Sequence, residues 1–341
     1  MVTIKEVAQL AGVSQTTVSR VITGQSKVAE STKSRVTAAM DTLNYRPNML
    51  AQALASSRSY SIGMIVGHLG GFFYGPLTHS VEEFARENGH HLIVTSGEDD
   101  HDKELEAIKF LLSRGVDSLI LHVSAITDNE LINMVASGIK LVILNRFIPE
   151  LSDQCIYLDN EYGGYLATKH LLDLGHTKIA CITGQLYKSD SRDRLQGYRK
   201  ALQESGLLFE STLVAEGAFD EDGGLNAARR LIQRNLNFTA VVCGNDNIAM
   251  GVYDVLADHE LNAGKDISVV GYDDAIIARY LRPKLTTVRF PMCEMGKFAV
   301  KLVLQMNANK STDLLLKMTP ELIIRGSTNK LTKTDSLPKE D

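Results

Sequence analysis

Ten side chains that sit just past apolar runs carry the chemistry needed to hold a polar small molecule. Phe73 and Tyr74 follow the run at 62–66, and Asn145 and Arg146 follow Leu144. Asp190 and Arg194 come after Gly184, Asn245 and Asp246 after Gly244, and Asp273 after Tyr272, with Phe219 completing the set. Carboxylates, amides and an arginine make paired hydrogen bonds with adjacent hydroxyls, while flat aromatic rings pack on the C–H face of a pyranose. Seven of them have a plainer reading as well: Tyr74 and Phe219 as core aromatics, Asn245 and Asp246 as helix caps, Arg146 as a surface ion-pair partner, and Arg194 and Asp273 as structural groups.

A second set lies near the start of the chain. Gln15, Thr16, Thr17 and Arg20 open a short helix and offer donors and acceptors able to reach base edges or phosphates. Catalytic signatures are missing, since the chain holds no G-x-S-x-G, P-loop, G-x-G-x-x-G or H-E-x-x-H. Metal ligation finds no support either. Glu98-Asp99-Asp100-His101-Asp102 lacks calcium-loop spacing and its glycine, and reads as a solvated loop capping the next helix. His90-His91 and the pair His170 and His176 lack ligand spacing. The expectation is a binding protein that is not an enzyme and needs no metal or cofactor.

The elements that must position these groups follow from periodicity. Apolar residues Ile4, Val7, Ala8 and Ala11 fall at helical spacing behind Thr3 and Glu6, a capping box, and Gly12 ends that helix. Ser14 caps a second, with Val18, Val21 and Ile22 inward, and 31–43 forms a third. Two short helices joined at Gly12 are a helix-turn-helix, whose second helix enters the major groove. Pro47 then stops one element, and 48–55 is only about two turns long, so it reads as a linker that is helical only when held.

Beyond Ser61, apolar runs at 62–66, 92–95, 118–123 and 141–144 alternate with amphipathic helices near 77–88, 103–114 and 128–137. A second series runs through 178–183, 239–243 and 267–270, with helices near 162–174, 192–205, 223–235 and 247–259. Continuous apolar strands alternating with helices indicate parallel sheets covered on both faces, and two series indicate two similar α/β lobes. Ligands bind beyond the carboxyl ends of such strands, which places the first set of residues in a cleft between the lobes.

Bulk properties agree with a folded, water-facing chain. At 341 residues, 44% hydrophobic and 23% charged, it is large enough for a small domain plus a larger one. No apolar run approaches the ~20 residues of a membrane span, and the N-terminus is amphipathic rather than signal-like, so a cytoplasmic location is expected. Cys155, Cys181, Cys243 and Cys293 are far apart and read as reduced thiols. Residues 1–60 hold Lys5, Arg20, Lys27, Lys33, Arg35, Arg46 and Arg58 against Glu6, Glu30 and Asp41, a net +4, within a chain of net charge −5. A basic head on an acidic body confines attraction for phosphate to one end.

Thr3-Ile4-Lys5-Glu6-Val7-Ala8, Ala11-Gly12-Val13-Ser14, Thr17-Val18-Ser19-Arg20-Val21 and Tyr45-Arg46-Pro47-Asn48 closely resemble the headpiece and hinge of the LacI/GalR family, and the likeness continues to about Arg325. The resemblance implies a headpiece at 1–46, a hinge helix at 47–59 and a two-lobed core at 60–326 like that of periplasmic binding proteins. Its lobes would be 60–160 with 290–322, and 161–289, the late helix near 294–306 returning to the first. A polar tail at 327–341 lacks heptads, so a dimer rather than a tetramer is expected. The implied function is a homodimeric repressor that grips a pseudo-palindromic operator and lets go when a sugar closes the cleft.

The resemblance adds Thr3, Ser14, Ser19, Asn48, Leu54 and Ala55 to the DNA-contacting set, with Leu54 as a minor-groove wedge. Asp193 to Tyr198 and Gly271 to Asp274 resemble effector-contacting segments, which supports Arg194 and Asp273. Cys155-Ile156 with Asp159, Asn145-Arg146 before Pro149, and Arg279 to Arg289 resemble galactose-responsive members, implying D-galactose. A β-glucoside, another sugar, or a purine or nucleoside is the alternative effector on the same scaffold.

Overall fold

A computed structural model describes residues 2–22, 28–46, 59–310 and 316–331. The chain divides into two compact units, Met1–Tyr60 and Ser61–Asp341. Asn48, Leu54 and Ala55, with most of the expected hinge, lie outside the described residues.

In the first unit, α1 (Ile4–Ala11) starts at a reciprocal cap. The Thr3 hydroxyl accepts from the Glu6 N–H, and the Glu6 carboxylate accepts from the Thr3 N–H at 2.7 Å. Gly12, at φ +65°, closes the helix by donating to the carbonyls of Ala8 and Gln9. Ser14 then accepts from the Thr17 N–H at 3.1 Å and opens α2 (Gln15–Ile22). Finally α3 (Glu30–Thr42) packs across both, and Val7, Ala8, Ala11, Val18, Val36 and Ala39 form the shared core.

The second unit begins with β1 (Ser61–Val66), α4 (Gly71–Glu87), β2 (His91–Ser96), α5 (His101–Ser113), β3 (Ser118–Leu121), α6 (Asp128–Ala136), β4 (Leu141–Leu144) and β5 (Cys155–Leu158). It continues through α7 (Asn160–Asp173), β6 (Ile179–Thr183), α8 (Ser189–Glu204), β7 (Val214–Glu216), α9 (Glu221–Gln233), β8 (Ala240–Cys243), α10 (Asp246–Asp258), β9 (Ser268–Asp273) and β10 (Thr286–Arg289). Then α11 (Met292–Asn307) returns to pack on α4, followed by β11 (Lys317–Met318) and β12 (Glu321–Ile323).

Among the described residues these strands form two sheets, ordered β11-β5-β4-β3-β1-β2 and β12-β10-β9-β8-β6-β7. Every pairing is parallel except β10 with β12. β3, β4, β6 and β8 are buried along their whole length, as strands covered on both faces must be. The two sheets share one strand order, so each lobe reverses direction beside its first strand and leaves a crevice at the carboxyl ends of its strands.

Boundaries shift from the expected ones at two places. β12 pairs with β10 of the second lobe, so the last crossover falls between Met318 and Glu321 rather than after 322. The expected tail also begins later than 327. Ser327 and Thr328 are buried, the Ser327 hydroxyl donates to the Val269 carbonyl at 2.6 Å, and the Leu331 N–H donates to the Leu174 carbonyl. Polar composition hid this docking because the hydroxyls serve backbone groups that would otherwise be buried unpaired.

Candidate functional site

The crevices of the two lobes face each other across a cavity of about 570 Å³, within the usual range for small-molecule sites. Lining groups include Phe73, Tyr74, Asn145, Arg146, Asp190, Arg194, Phe219, Asn245 and Asp273, so nine of the ten expected cleft residues reach it.

Arg194, on the first turns of α8, is the hub. Its Nε donates to Asn160 Oδ1 at 2.9 Å and its Nη1 to the Gly244 carbonyl at 2.6 Å, while the guanidinium lies 3.8 Å from the Tyr272 ring centroid. Asp190 stands 3.7 Å away and Asp273 4.0 Å away. Asn145 joins the group from the first lobe by donating to Asp190 at 3.3 Å and accepting from Asn160 at 3.0 Å. Asn145 and Asp273 take positive φ, +56° and +109°, an uncommon conformation for non-glycine residues that re-aims a strand-end side chain. Burial raises the Asp273 carboxyl to about 7; nearby Arg194 opposes the rise and Asp190 adds to it.

Aromatic groups form the other wall. Tyr74 meets Phe73 and His122 edge to face, with centroids 5.1 and 5.3 Å apart, and Phe73 leans on Phe290. Burial lowers the basicity of His122, against the opposing pull of Asp190 and Asp99. Phe219 faces the guanidinium of Arg194 at 5.6 Å. The Arg146 guanidinium donates to the Ile126 carbonyl at 2.8 Å and pairs with Asp128, so it combines a cleft-lining position with the ion-pair role. Asn245 likewise does both, lining the cleft while its Oδ1 caps α10 by accepting from the Ile248 N–H.

Asp246 is the exception and corrects the expectation. It is 1% exposed, and its carboxylate is consumed inside the second lobe by the Thr287 hydroxyl at 2.6 Å and the Ala275 N–H at 2.8 Å. As the first residue of α10 it points back toward β9 and β10 rather than outward. Burial, with Asp273 adding, raises its carboxyl well above the ordinary value.

Sequence reasoning passes over several further cleft-lining groups, Asp99, His122, Gln185 and Lys188 among them, and one support. Asp99 reads as part of a solvated acidic loop, yet its side chain is 11% exposed and pairs with Lys188. A carboxylate just past the 92–95 run is the available signal. His122 directly follows β3, inside the third apolar run, and Gln185 and Lys188 lie between Gly184 and α8. Asn160 supports Arg194 from behind; nothing in the pattern marks it.

In the first unit, Gln15, Thr16, Ser19 and Arg20 are exposed on α2. Thr17 is half-buried and shares its hydroxyl with that of Ser14 at 2.9 Å. Thr3 and Ser14 serve as caps through their hydroxyls. Among the described residues no helix is long and apolar enough to cross a membrane, and no cluster of ligating side chains could hold a metal ion.

Residues 3–48 match the family described as bacterial regulatory proteins, lacI family, and residues 168–328 match the periplasmic binding protein-like domain. The HTH-type transcriptional regulator GalR of Escherichia coli (strain K12) is 40% identical over 328 residues, covering 96% of each chain. The HTH-type transcriptional repressor PurR of Photobacterium profundum is 37% identical over 336 residues, covering 97% of this chain and all of that one. Among solved structures, a lac repressor dimer bound to operator and the anti-inducer ONPF superposes with a TM-score of 0.86 at 29% identity, covering 96% of this chain and 99% of that one.

Proposed function

The chain belongs to the lacI family of bacterial regulatory proteins, and on that premise we propose that it is a repressor released from its operator by a neutral sugar, D-galactose. It acts as a homodimer in the cytoplasm, with α2 of each copy reading one half of a pseudo-palindromic operator. The convergence of Asn145, Asp190, Arg194 and Asp273 between the two lobes carries the reading. Carboxylates accept from vicinal hydroxyls while the guanidinium beside them donates, and Phe219 offers an apolar face to the ring.

Identity to GalR supports galactose, and the likeness to PurR makes the effector class a matter for the cleft's chemistry. A flat base is best held between parallel aromatic faces. The rings of Phe73, Tyr74 and His122 instead meet edge to face, at interplanar angles of 89°, 62° and 87°. Calorimetric titration with D-galactose, D-glucose, β-glucosides and purine bases tests this, paired with operator selected from random DNA. Galactose is expected to bind and to release that operator. Binding of a purine base with no response to any sugar would overturn the effector assignment.

A further inference from the structure

Asp99 and Lys188 face each other across the cleft. Asp99 follows β2 in the first lobe, Lys188 precedes α8 in the second, and Nζ lies 2.6 Å from Oδ2 with each side chain 11% exposed. The Ser124 hydroxyl donates to the second carboxylate oxygen at 2.8 Å. Glu98 and Asp99 both take left-handed backbone, at φ +52° and +55°, two consecutive non-glycine residues in a conformation that persists only where surroundings enforce it. The enforcement is visible: the Gly97 and Glu98 N–H groups donate to Val66 and Gly67, continuing the sheet ladder past its strands. Gly67 leaves the room, since a Cβ there would stand 3.1 Å from Asp99 Oδ1.

On the other side, the Lys188 ammonium lies 5.3 Å from the Phe219 ring, whose centroid is 5.6 Å from the Arg194 guanidinium. Burial alone would raise the Asp99 carboxyl, but the Lys188 charge and hydrogen bond, with Ser124, bring it below its ordinary value. A pair so far out of water is not a screened surface contact, and removing one member strands the other in a desolvated place.

We propose that Asp99 and Lys188 are positioning residues that clasp the two lobes, so that the effector meets a cleft already near its bound geometry. The proposal rests on the reading of this cleft as the effector site. Apparent affinity scales with the fraction of molecules in the competent arrangement, so opening the clasp weakens binding without removing any ligand contact. In a repressor released by closure, it also makes release harder to trigger.

Lobe separation in the ligand-free protein is the first readout, measured by pulsed electron paramagnetic resonance between spin labels at Lys109→Cys and Gln203→Cys with Cys293→Ser. With labelled chain diluted into unlabelled chain so that each dimer carries at most one labelled copy, the parent is expected to show one short distance. Asp99→Asn and Lys188→Met should lengthen and broaden it, while Lys188→Arg and the charge-reversed Asp99→Lys with Lys188→Asp should keep it short. Sugar titration is the second readout, and each single neutral variant should bind about tenfold more weakly, with Lys188→Arg restored. Unchanged distances in both neutral variants overturn the clasp. So does weakened binding with the parent distance retained, which would make these residues direct ligand contacts. Because the distances need no ligand, failure of the sugar reading leaves this test standing and is told apart from failure of the clasp.

Discussion

At Asp273, burial lifts a carboxyl from the ordinary 3.8 to about 7 although Arg194 pulls the other way. The folded chain therefore holds a proton there that the unfolded chain gives up near the usual carboxylate range. Ionising Asp273 costs folding stability as pH rises across that window, and the stabilising form is the one present at lower pH. Asp273→Asn removes the titration, so the parent should lose roughly 2 kcal/mol relative to the variant between about pH 5 and pH 8 in urea unfolding. Parallel profiles for the two proteins would show that Asp273 is ionised throughout. In the first unit, Gln15 and Thr16 are exposed at the start of α2. Changing Gln15 should alter preference at one base pair of each half-site by ~1 to 3 kcal/mol, read by selection from random DNA. An unchanged consensus would remove Gln15 from the reading set. Cleft residues at this scale were legible where a polar side chain directly follows an apolar run, as Asn145 and Asp273 do. Asp246 lies one residue further on, after Asn245, and faces inward, because the strand-end residue and the first helical residue point to opposite sides, and spacing alone does not say which is which.

Among the elements, α7 and α8 cross so closely that no side chain fits at Gly164 or Gly197. A Cβ on Gly164 would overlap the Arg194 carbonyl, and one on Gly197 would overlap the Glu161 carbonyl and stand 2.5 Å from the Tyr165 N. Those glycines set the height of Arg194 above the cleft floor. Gly197→Ala should lift α8, costing ~1 to 3 kcal/mol in denaturant unfolding and abolishing sugar binding, while Lys200→Ala on the exposed side of α8 should do neither. Retained sugar affinity in a destabilised Gly197→Ala would disconnect the crossing from the site. Helix and strand periods revealed most of the elements, because the central apolar runs are buried on both faces. The exception near the site is α4, expected from residue 77 but beginning at Gly71. Gly71, Gly75 and Pro76 argue against helix locally, and packing of Phe73 and Tyr74 against His122 and Phe290 overrides them. Both aromatics therefore project from a helix rather than a loop. The two- and three-residue strands β11, β12 and β7 are too short for periodicity to report.

For the whole molecule, the separation of functions is written in its charge: a net +4 over the first sixty residues within a chain of −5. A basic unit carries the attraction for phosphate, so affinity for any DNA should fall steeply with salt, whereas sugar binding in a cleft of internally paired charges should not. The two events are joined only through their effect on each other, and thermodynamics fixes the size of that effect in both directions. If saturating sugar weakens operator binding by some factor, operator must weaken sugar binding by the same factor. Couplings of this kind lie around 5- to 150-fold. Fluorescence anisotropy of a labelled operator without and with saturating galactose gives one leg. Calorimetric titration of galactose into free and operator-bound protein gives the other, at the same salt. The two ratios are expected to agree. A ratio of one on both legs would mean that the cleft does not govern the headpiece. Unequal ratios would mean that a third equilibrium, such as separation of the dimer, takes part in release, and their dependence on protein concentration would then identify it.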